Sequence, residues 1–447
     1  MPNHVISPDT QATLLLCARF GSSSSKTDAK PLTLREYNNL AIWLKDNDLT
    51  PQDLLLLEIQ NKLRQLKINS LEPHRILALI NRGVALSLAV EKWTNQGLWI
   101  LGRGDANYPK RLKQKLKYQA PAIIYGVGNK RLLSSGGLAI VGSRDIDSAG
   151  LEYTQKLAQT CAQQKIQVIS GGAKGVDQAS MLGTLDAGGT VVGVMADNLA
   201  KAAVAKKYRT GIKEGRLTLI STYDPNAGFN VGNAMGRNKY IYALADYGLV
   251  VNTTVNQGGT WAGATEALRK ITDVPVFVRI EKNKNQGNDK LLEKGAIPFP
   301  EAPWNLPLTV LIADQISNLK NNQKSKLLVE QSSLFDFSNA HESNSQTDTI
   351  APLNPKMTNH ASATKTNGSL TFIQRKPQDI YEAVLPLILQ NLKQPKDDKS
   401  LATSLDVQVG QMRAWLKKAV AEGKIKKNQK PVTYEINETE KLLPLNK

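Results

Sequence analysis

Through residues 10 to 100, apolar residues recur at three- and four-residue spacing, in "REYNNLAIWLKDN", "QDLLLLEIQNKLRQL" and "HRILALINRGVALSLAVEKW". That is the period of amphipathic helices. Thr50 followed by Pro51 reads as a helix start, with the hydroxyl capping and the proline in the first turn. Residues 1–105 are therefore expected to form a small helical domain, of the SAM or helix-hairpin-helix kind, that serves packing. From about 120 to 280 the period changes. Seven short runs, "AIIYGVG", "LAIVGS", "IQVISGG", "TVVGVM", "LTLIST", "YGLVVNT" and "VPVFVRI", are apolar on both faces, as buried parallel strands are. Between them lie amphipathic stretches such as "SAGLEYTQKLAQTCAQQ", where Tyr153, Leu157 and Cys161 share one face. The alternation predicts an α/β fold over 106–315, a Rossmann-like, doubly wound parallel sheet that takes ligands at the carboxyl ends of its strands.

Periodicity then fades. "NNQKSK", "SNAHESNSQTDT" and "MTNHASATKTNGS" are polar, so 316–377 is expected to be a disordered linker. Order returns near Gln378. "DIYEAVLPLILQNL" is one helix, and Ser400 is expected to cap a second. Val407 to Val409 would form a turn, and Met412, Leu416 and Val420 would line one face of a third helix. "KIKKNQKPVTYEI" would be a hairpin. The expectation for 378–447 is a C-terminal winged helix, a module that binds DNA or docks proteins. Arg413, Lys417 and Lys418 would point outward from its helix, joined by Lys424, Lys426, Lys427 and Lys430 of the wing.

Length and charge sharpen the picture. The 447 residues suit about three domains at ~150 residues each. No stretch approaches the ~20 apolar residues of a membrane helix, and "MPNHVISPDTQ" has no basic-then-apolar signal pattern. Two cysteines, Cys17 and Cys161, are too few for a disulfide framework, and four histidines are scattered. The chain is read as a reduced, cytoplasmic protein with no metal, no cofactor and no membrane partner. Lysine and arginine number 57 against 39 aspartates and glutamates, a formal net charge of +18. Such an excess favours a polyanion, because neutralising phosphates releases condensed counterions.

Four segments of the sheet region supply the chemistry. In "IVGSRDIDSAG" a strand ends in Gly142, Ser143 and Arg144, whose planar fork matches phosphate oxygens. In "SGGAKGVDQAS", Gly171 and Gly172 precede Lys174 and a helix start, where bare N–H groups can form an anion site. Asp177 there reads as a brace for the loop. "AMGRNKYIYALADYGLVV" places Arg237, Asn238 and Lys239 at a helix start, and Gly258, Gly259 and Thr260 of "NQGGTWAGATEAL" make a second possible nest. Neither GxxxxGK[ST] nor GxGxxG is present. The expectation is that these strand ends converge on one crevice with Arg144, Lys174, Arg237 and Lys239 as its cations. No dense aromatic platform accompanies them, which suggests a strand held by its phosphates.

The order "IVGSR", "SGGAKGVDQAS", "GRNKYIYALAD", "GGTWAGATEAL", with "YPKRLKQKLKYQAPAIIYGVGN" ahead of it, resembles the DNA-processing protein A (DprA/Smf) family over roughly residues 70 to 280. The resemblance implies a protein that is not an enzyme. It would bind single-stranded DNA, shield incoming DNA and load the RecA recombinase in natural transformation, as a homodimer. Carried over by position, the DNA pocket would be Ser143, Arg144, Gly172, Lys174, Arg237, Asn238 and Lys239. Two departures stand out. The usual Phe-Pro step before Arg-Asn-Arg is "FNVGNAMGRNKY" here, and the loop after "TVVGVM" is the more basic "ADNLAKAAVAKKYRTGIKEGR".

Two other classes fit parts of the pattern. The same fold hosts lysine-decarboxylase-like phosphoribohydrolases, which release the base from a nucleoside monophosphate. Glu266 would then be the catalytic carboxylate stabilising an oxocarbenium-like centre. Against this, Trp261 interrupts the glycine-threonine step and its bulk is expected to crowd a nucleotide. The other class is a sensor that binds a free nucleotide and signals to a partner.

Overall fold

The computed structural model describes residues 6–20, 29–63, 71–280, 285–319, 380–392, 394–405, 407, 409–429 and 432–437. Two compact units emerge, Met1–Asn344 and Ser345–Lys447.

All seven expected strands form, as β2 (Ile123–Gly128), β3 (Leu138–Val141), β4 (Val168–Ser170), β5 (Val191–Val194), β6 (Leu217–Ser221), β7 (Tyr247–Val250) and β8 (Val276–Val278). The pattern missed β1 (Trp99–Gly102) and the two-residue β9 (Ile297–Pro298). The nine strands lie in the order β1-β2-β6-β5-β4-β3-β7-β8-β9. From β6 to β9 every pairing is parallel, whereas β2 runs antiparallel to both β6 and β1. The expectation of a parallel sheet thus fails at one edge. An apolar strand reads the same in either direction, and only the connection decides.

Strand β3 alternates between two cores. Leu138 and Ile140 join one, and Ala139 and Val141 the other. The first core also takes Leu157 and Cys161 from the Ser148–Gln163 helix, and Leu14, Leu40, Ile76 and Trp93 from the N-terminal helices. The second takes Ile241 from the Val231–Leu244 helix, Ala264 from the Gly258–Lys270 helix and Leu112 from the Lys110–Leu116 helix. The sheet is therefore doubly wound.

The N-terminal helices are not walled off at residue 105. They share a continuous core with Ile123, Tyr125 and Val127, and Trp93 meets the Tyr125 ring edge-on at 4.9 Å. The expected start at Thr50 becomes a short 3-10 turn, Pro51–Leu55, with the Asp53 carboxylate accepting from the Thr50 N–H at 2.7 Å. A separate helix, Leu57–Leu63, follows. The stretch "HRILALINRGVALSLAVEKW" forms two helices, Pro73–Ile80 and Gly83–Asn95. Among the described residues, no helix is long and apolar enough to cross a membrane.

Most of the expected linker 316–377 lies outside the described residues, but its first four continue a helix over 308–319. The C-terminal unit holds helices Ile380–Asn391, Asp398–Ser404 and Val409–Ala421, then the antiparallel pair β10 (Ile425–Gln429) and β11 (Val432–Ile436). Asp397, not Ser400, caps the middle helix, accepting from the Lys399 and Ser400 N–H groups at 2.9 and 2.8 Å. Met412 and Leu416 are buried as expected, but Ala419 takes the place given to Val420, which is exposed.

Gly137 leads into β3 with φ of +119°, and a Cβ there would stand 2.1 Å from the Gln167 carbonyl oxygen. Gly137→Ala is expected to cost at least about 2 kcal/mol through strain and overlap. A urea midpoint equal to that of the wild type would contradict this.

Candidate nucleic-acid interface

Strand order reverses at β3, whose neighbours are β4 and β7. Crossovers leave such a point on opposite faces and open a crevice above the strands' carboxyl ends. Here the crevice measures about 430 Å³. Gly142, Ser143 and Arg144 line it from the end of β3, Ala173 from the loop after β4, Asp177 from the first turn of the helix Val176–Asp186, and Gly258, Gly259 and Thr260 from the helix after β7. Phe229, Met235, Arg237 and Asn238 close the remaining side.

The floor holds two buried charged groups of opposite sign, each within the electrostatic reach of the other. Asp177 is 5% exposed and Arg237 likewise 5%. Burial pushes the Asp177 carboxyl up to about 6, against the pull of Arg237 and of backbone N–H groups of Gly142, Ala173 and Gly171 that bond to it. Burial also lowers Arg237, with Asp177 acting in the opposite sense. Arg237 Nη1 donates to the carbonyls of Gly171 and Val194, and its Nε donates to Asn238 Oδ1 at 3.1 Å. Asn238 Nδ2 in turn donates to the Gly259 carbonyl at 2.7 Å. A Cβ on Gly171 would overlap both the Arg237 guanidinium and the Asp177 carboxylate, so glycine is required there by close approach. The glycine loop after β4 is thus an anion nest whose anion is the chain's own Asp177.

Two further bonds tie the loops. Thr260 Oγ1 donates to the Gly142 carbonyl at 2.8 Å, and the Ser143 N–H donates to Asn252 Oδ1 at 2.9 Å. The Ser143 hydroxyl accepts from the Asp145 N–H at 3.1 Å. Gln257, the residue before the Gly258–Lys270 helix, makes no side-chain cap. The amides at Gly258 to Thr260 therefore face the crevice without a capping side chain.

The rim carries what sequence reasoning missed. Arg144 is exposed, and its guanidinium sits over the Phe229 ring, 5.0 Å from the centroid. Phe229 is 53% exposed, Val231 63% and Met235 42%. These apolar groups stand around the mouth of the crevice although nothing covers them within the described unit. A single phenylalanine in a polar loop gives no periodic signal, so only the fold reveals it.

The four expected cations do not share one site. Arg144 is at the mouth and Arg237 is in the floor. Lys174 is exposed and lines a neighbouring groove between the Ser148–Gln163 and Val176–Asp186 helices, which Arg144 also touches. Lys239 lines a different cleft, with Lys115, Lys117, Glu266 and Lys270. Two residues on from Arg237, a helix has turned by more than half a circle, so the two side chains cannot point the same way. Trp261 is 7% exposed and packs in the second core. It does not crowd the crevice, which corrects that expectation. Glu266 lies outside the crevice and is paired with Lys270 at 2.8 Å.

In the C-terminal unit, Arg413, Lys417, Lys418, Lys426 and Lys427 are exposed and Lys424 is half-exposed. Arg413 is held by Asp398, and Lys418 lies over the Tyr381 ring at 4.1 Å. Lys430 lies outside the described residues.

Residues 99–303 match the family described as DNA recombination-mediator protein A. The chain is 27% identical over 196 residues to the DNA processing protein DprA of Streptococcus pneumoniae, covering 43% of this chain and 67% of the relative. It is 26% identical over 192 residues to the DNA processing protein DprA of Bacillus subtilis, covering 41% of this chain and 61% of that one. The chain thus spans about two thirds or less of the length of these relatives. The X-ray structure of DNA processing protein A from Streptococcus pneumoniae shares the fold, with a TM-score of 0.50 at 20% identity over 65% of this chain and 94% of that chain.

A raised carboxyl means that the folded protein holds a proton that the unfolded chain releases. Between the ordinary value of 3.8 and about 6 the folded state of Asp177 binds more protons, so its contribution to stability falls as pH rises through that window. Asp177→Asn removes the dependence. From about pH 4 to about pH 7 the wild type should lose stability relative to the variant. Urea unfolding of both proteins at the two pH values checks this, and a gap that does not change with pH would refute it.

Proposed function

We propose, from the premise that residues 99–303 belong to the DNA recombination-mediator protein A family, that this protein binds single-stranded DNA in the crevice where β3 meets β7. The observation that carries the reading is the pairing, at one mouth, of an exposed guanidinium with an exposed ring, Arg144 over Phe229. Single strands are held by cations that track the backbone and by faces on which bases stack. Here Arg144 and the amides from Gly258 to Thr260 would take a phosphate. Phe229, with Met235 beside it, would take a base. A duplex hides its base faces, so the apolar rim favours the single strand. Arg237 and Asn238 act from below by fixing the loops, and Ser143 sets the turn that presents Arg144.

The reading is of binding without turnover. Among the described residues lining the crevice the one carboxyl, Asp177, is buried beside Arg237 and backbone N–H groups. Glu266, which a phosphoribohydrolase would need, lies in another cleft, tied to Lys270. A role in processing DNA accords with the names of the relatives, and a part in natural transformation extends that reading. Shielding of the strand, loading of RecA, a homodimer and an accessory part for the C-terminal unit extend the same proposal.

Fluorescence anisotropy of a labelled oligothymidine across a salt series tests it. Phe229→Ala should weaken binding by about 1–3 kcal/mol, the worth of one stacked base. Arg144→Ala should weaken it and reduce the salt slope by about 0.7, one phosphate's share on a single strand. Wild-type affinity and slope in both variants would overturn the assignment. Base release from a nucleoside monophosphate, lost in Glu266→Gln, would put the hydrolase in its place.

A further inference from the structure

The cleft that takes Lys239 away from the crevice has a composition of its own. Its walls hold four lysines, Lys115, Lys117, Lys239 and Lys270, against one acid, Glu266, in about 300 Å³. Glu266 is committed to Lys270 at 2.8 Å, and Lys115 Nζ donates to the Ala245 carbonyl. Lys239 is half-buried, and burial lowers its pKa while Glu266 and Lys270 act on it in opposite senses. Its ammonium thus sits in a partly dry wall whose one acid among the described residues already has a partner. Beside it Lys117 is exposed, and Tyr118 shows 71% of its surface although its backbone carbonyl is fixed by Asn38 Nδ2 at 2.7 Å. A large ring presented to solvent among lysines is the composition by which proteins hold single strands without reading their sequence.

The cleft and the crevice are joined along one helix. Val231, Met235 and Lys239 stand four residues apart on the Val231–Leu244 helix and so share a face, about 6 Å between successive members. Val231 and Met235 are exposed and line the crevice, while Lys239 lines the cleft. The stripe runs from one site to the other without an acidic residue on it.

We propose that this cleft is an extension site for the same strand: the backbone leaving the crevice follows Val231 and Met235 to Lys239, Lys117 and Lys270, and a base stacks on Tyr118. The proposal rests on the crevice being the primary strand site, and it commits to a phosphodiester chain long enough to reach both. The protein then grips a longer stretch than its crevice alone can hold, and the grip depends on length.

The full chain, its Lys117→Ala/Tyr118→Ala variant and its Arg144→Ala variant would be titrated with oligothymidines of about four and about sixteen nucleotides, the range that single-strand-binding folds cover. The cleft variant should bind the short oligomer like the wild type and the long one at least about fivefold more weakly, the lower bound for one lost stack. Its salt slope should fall by about 0.7 on the long oligomer only. Arg144→Ala should weaken both lengths. If the cleft variant matches the wild type at both lengths, or weakens both equally, the extension site is refuted while the crevice stands. If Arg144→Ala leaves both lengths unaffected, it is the crevice that fails. A Lys239→Ala variant is a second route to the same length-dependent loss, and circular dichroism of each variant confirms that it is folded.

Discussion

Asp177 and Arg237 are both buried beneath the crevice, and the surrounding loops are arranged to satisfy both. Taking its hydrogen-bond partners from a buried charged group costs about 1–3 kcal/mol or more. Three loop amides bond to the carboxylate and two carbonyls accept from the guanidinium. Asn238 carries the arrangement on to the helix that follows β7. The ends of β3, β4, β5 and β7 are thereby held in one relation, and the mouth above them has a fixed shape. What looks in the sequence like a phosphate cradle is first a device for holding the sheet's loops together.

That internal use of charge changes what the +18 net charge means. Arg237 is buried and its guanidinium is turned to internal carbonyls, so little of it is presented to a polyanion. The cations left to meet a polyanion are spread around the crevice. Arg144 stands at its mouth, Lys174 in the groove on one side, and Lys117, Lys239 and Lys270 in the cleft on the other. A compact anion such as a nucleoside monophosphate would sit in one of these three places and leave the others empty. An extended anion could touch several. The distribution, more than the total, sets the class of ligand, and the exposed rings of Phe229 and Tyr118 favour a chain that carries base faces along with its phosphates.

The sequence by itself determined the layers of the fold and the loops that bear function. Two-sided apolar runs could only be interior strands, and the glycines after β3, β4 and β7 marked where backbones approach closely. Asp177 was legible as a brace, because an acid in the first turn of a helix complements the bare N–H groups there. The direction of β2 was not legible, nor was β1, since four apolar residues pair equally well either way. The tertiary structure alone decided which cations act together. Arg237 and Lys239 are two apart in sequence, yet one is in the floor and the other in a separate cleft, because a helix turns about 100° per residue. Phe229 became a rim residue and Trp261 a core residue for the same reason: a lone aromatic has no period, and its exposure is set by what the neighbouring elements leave uncovered.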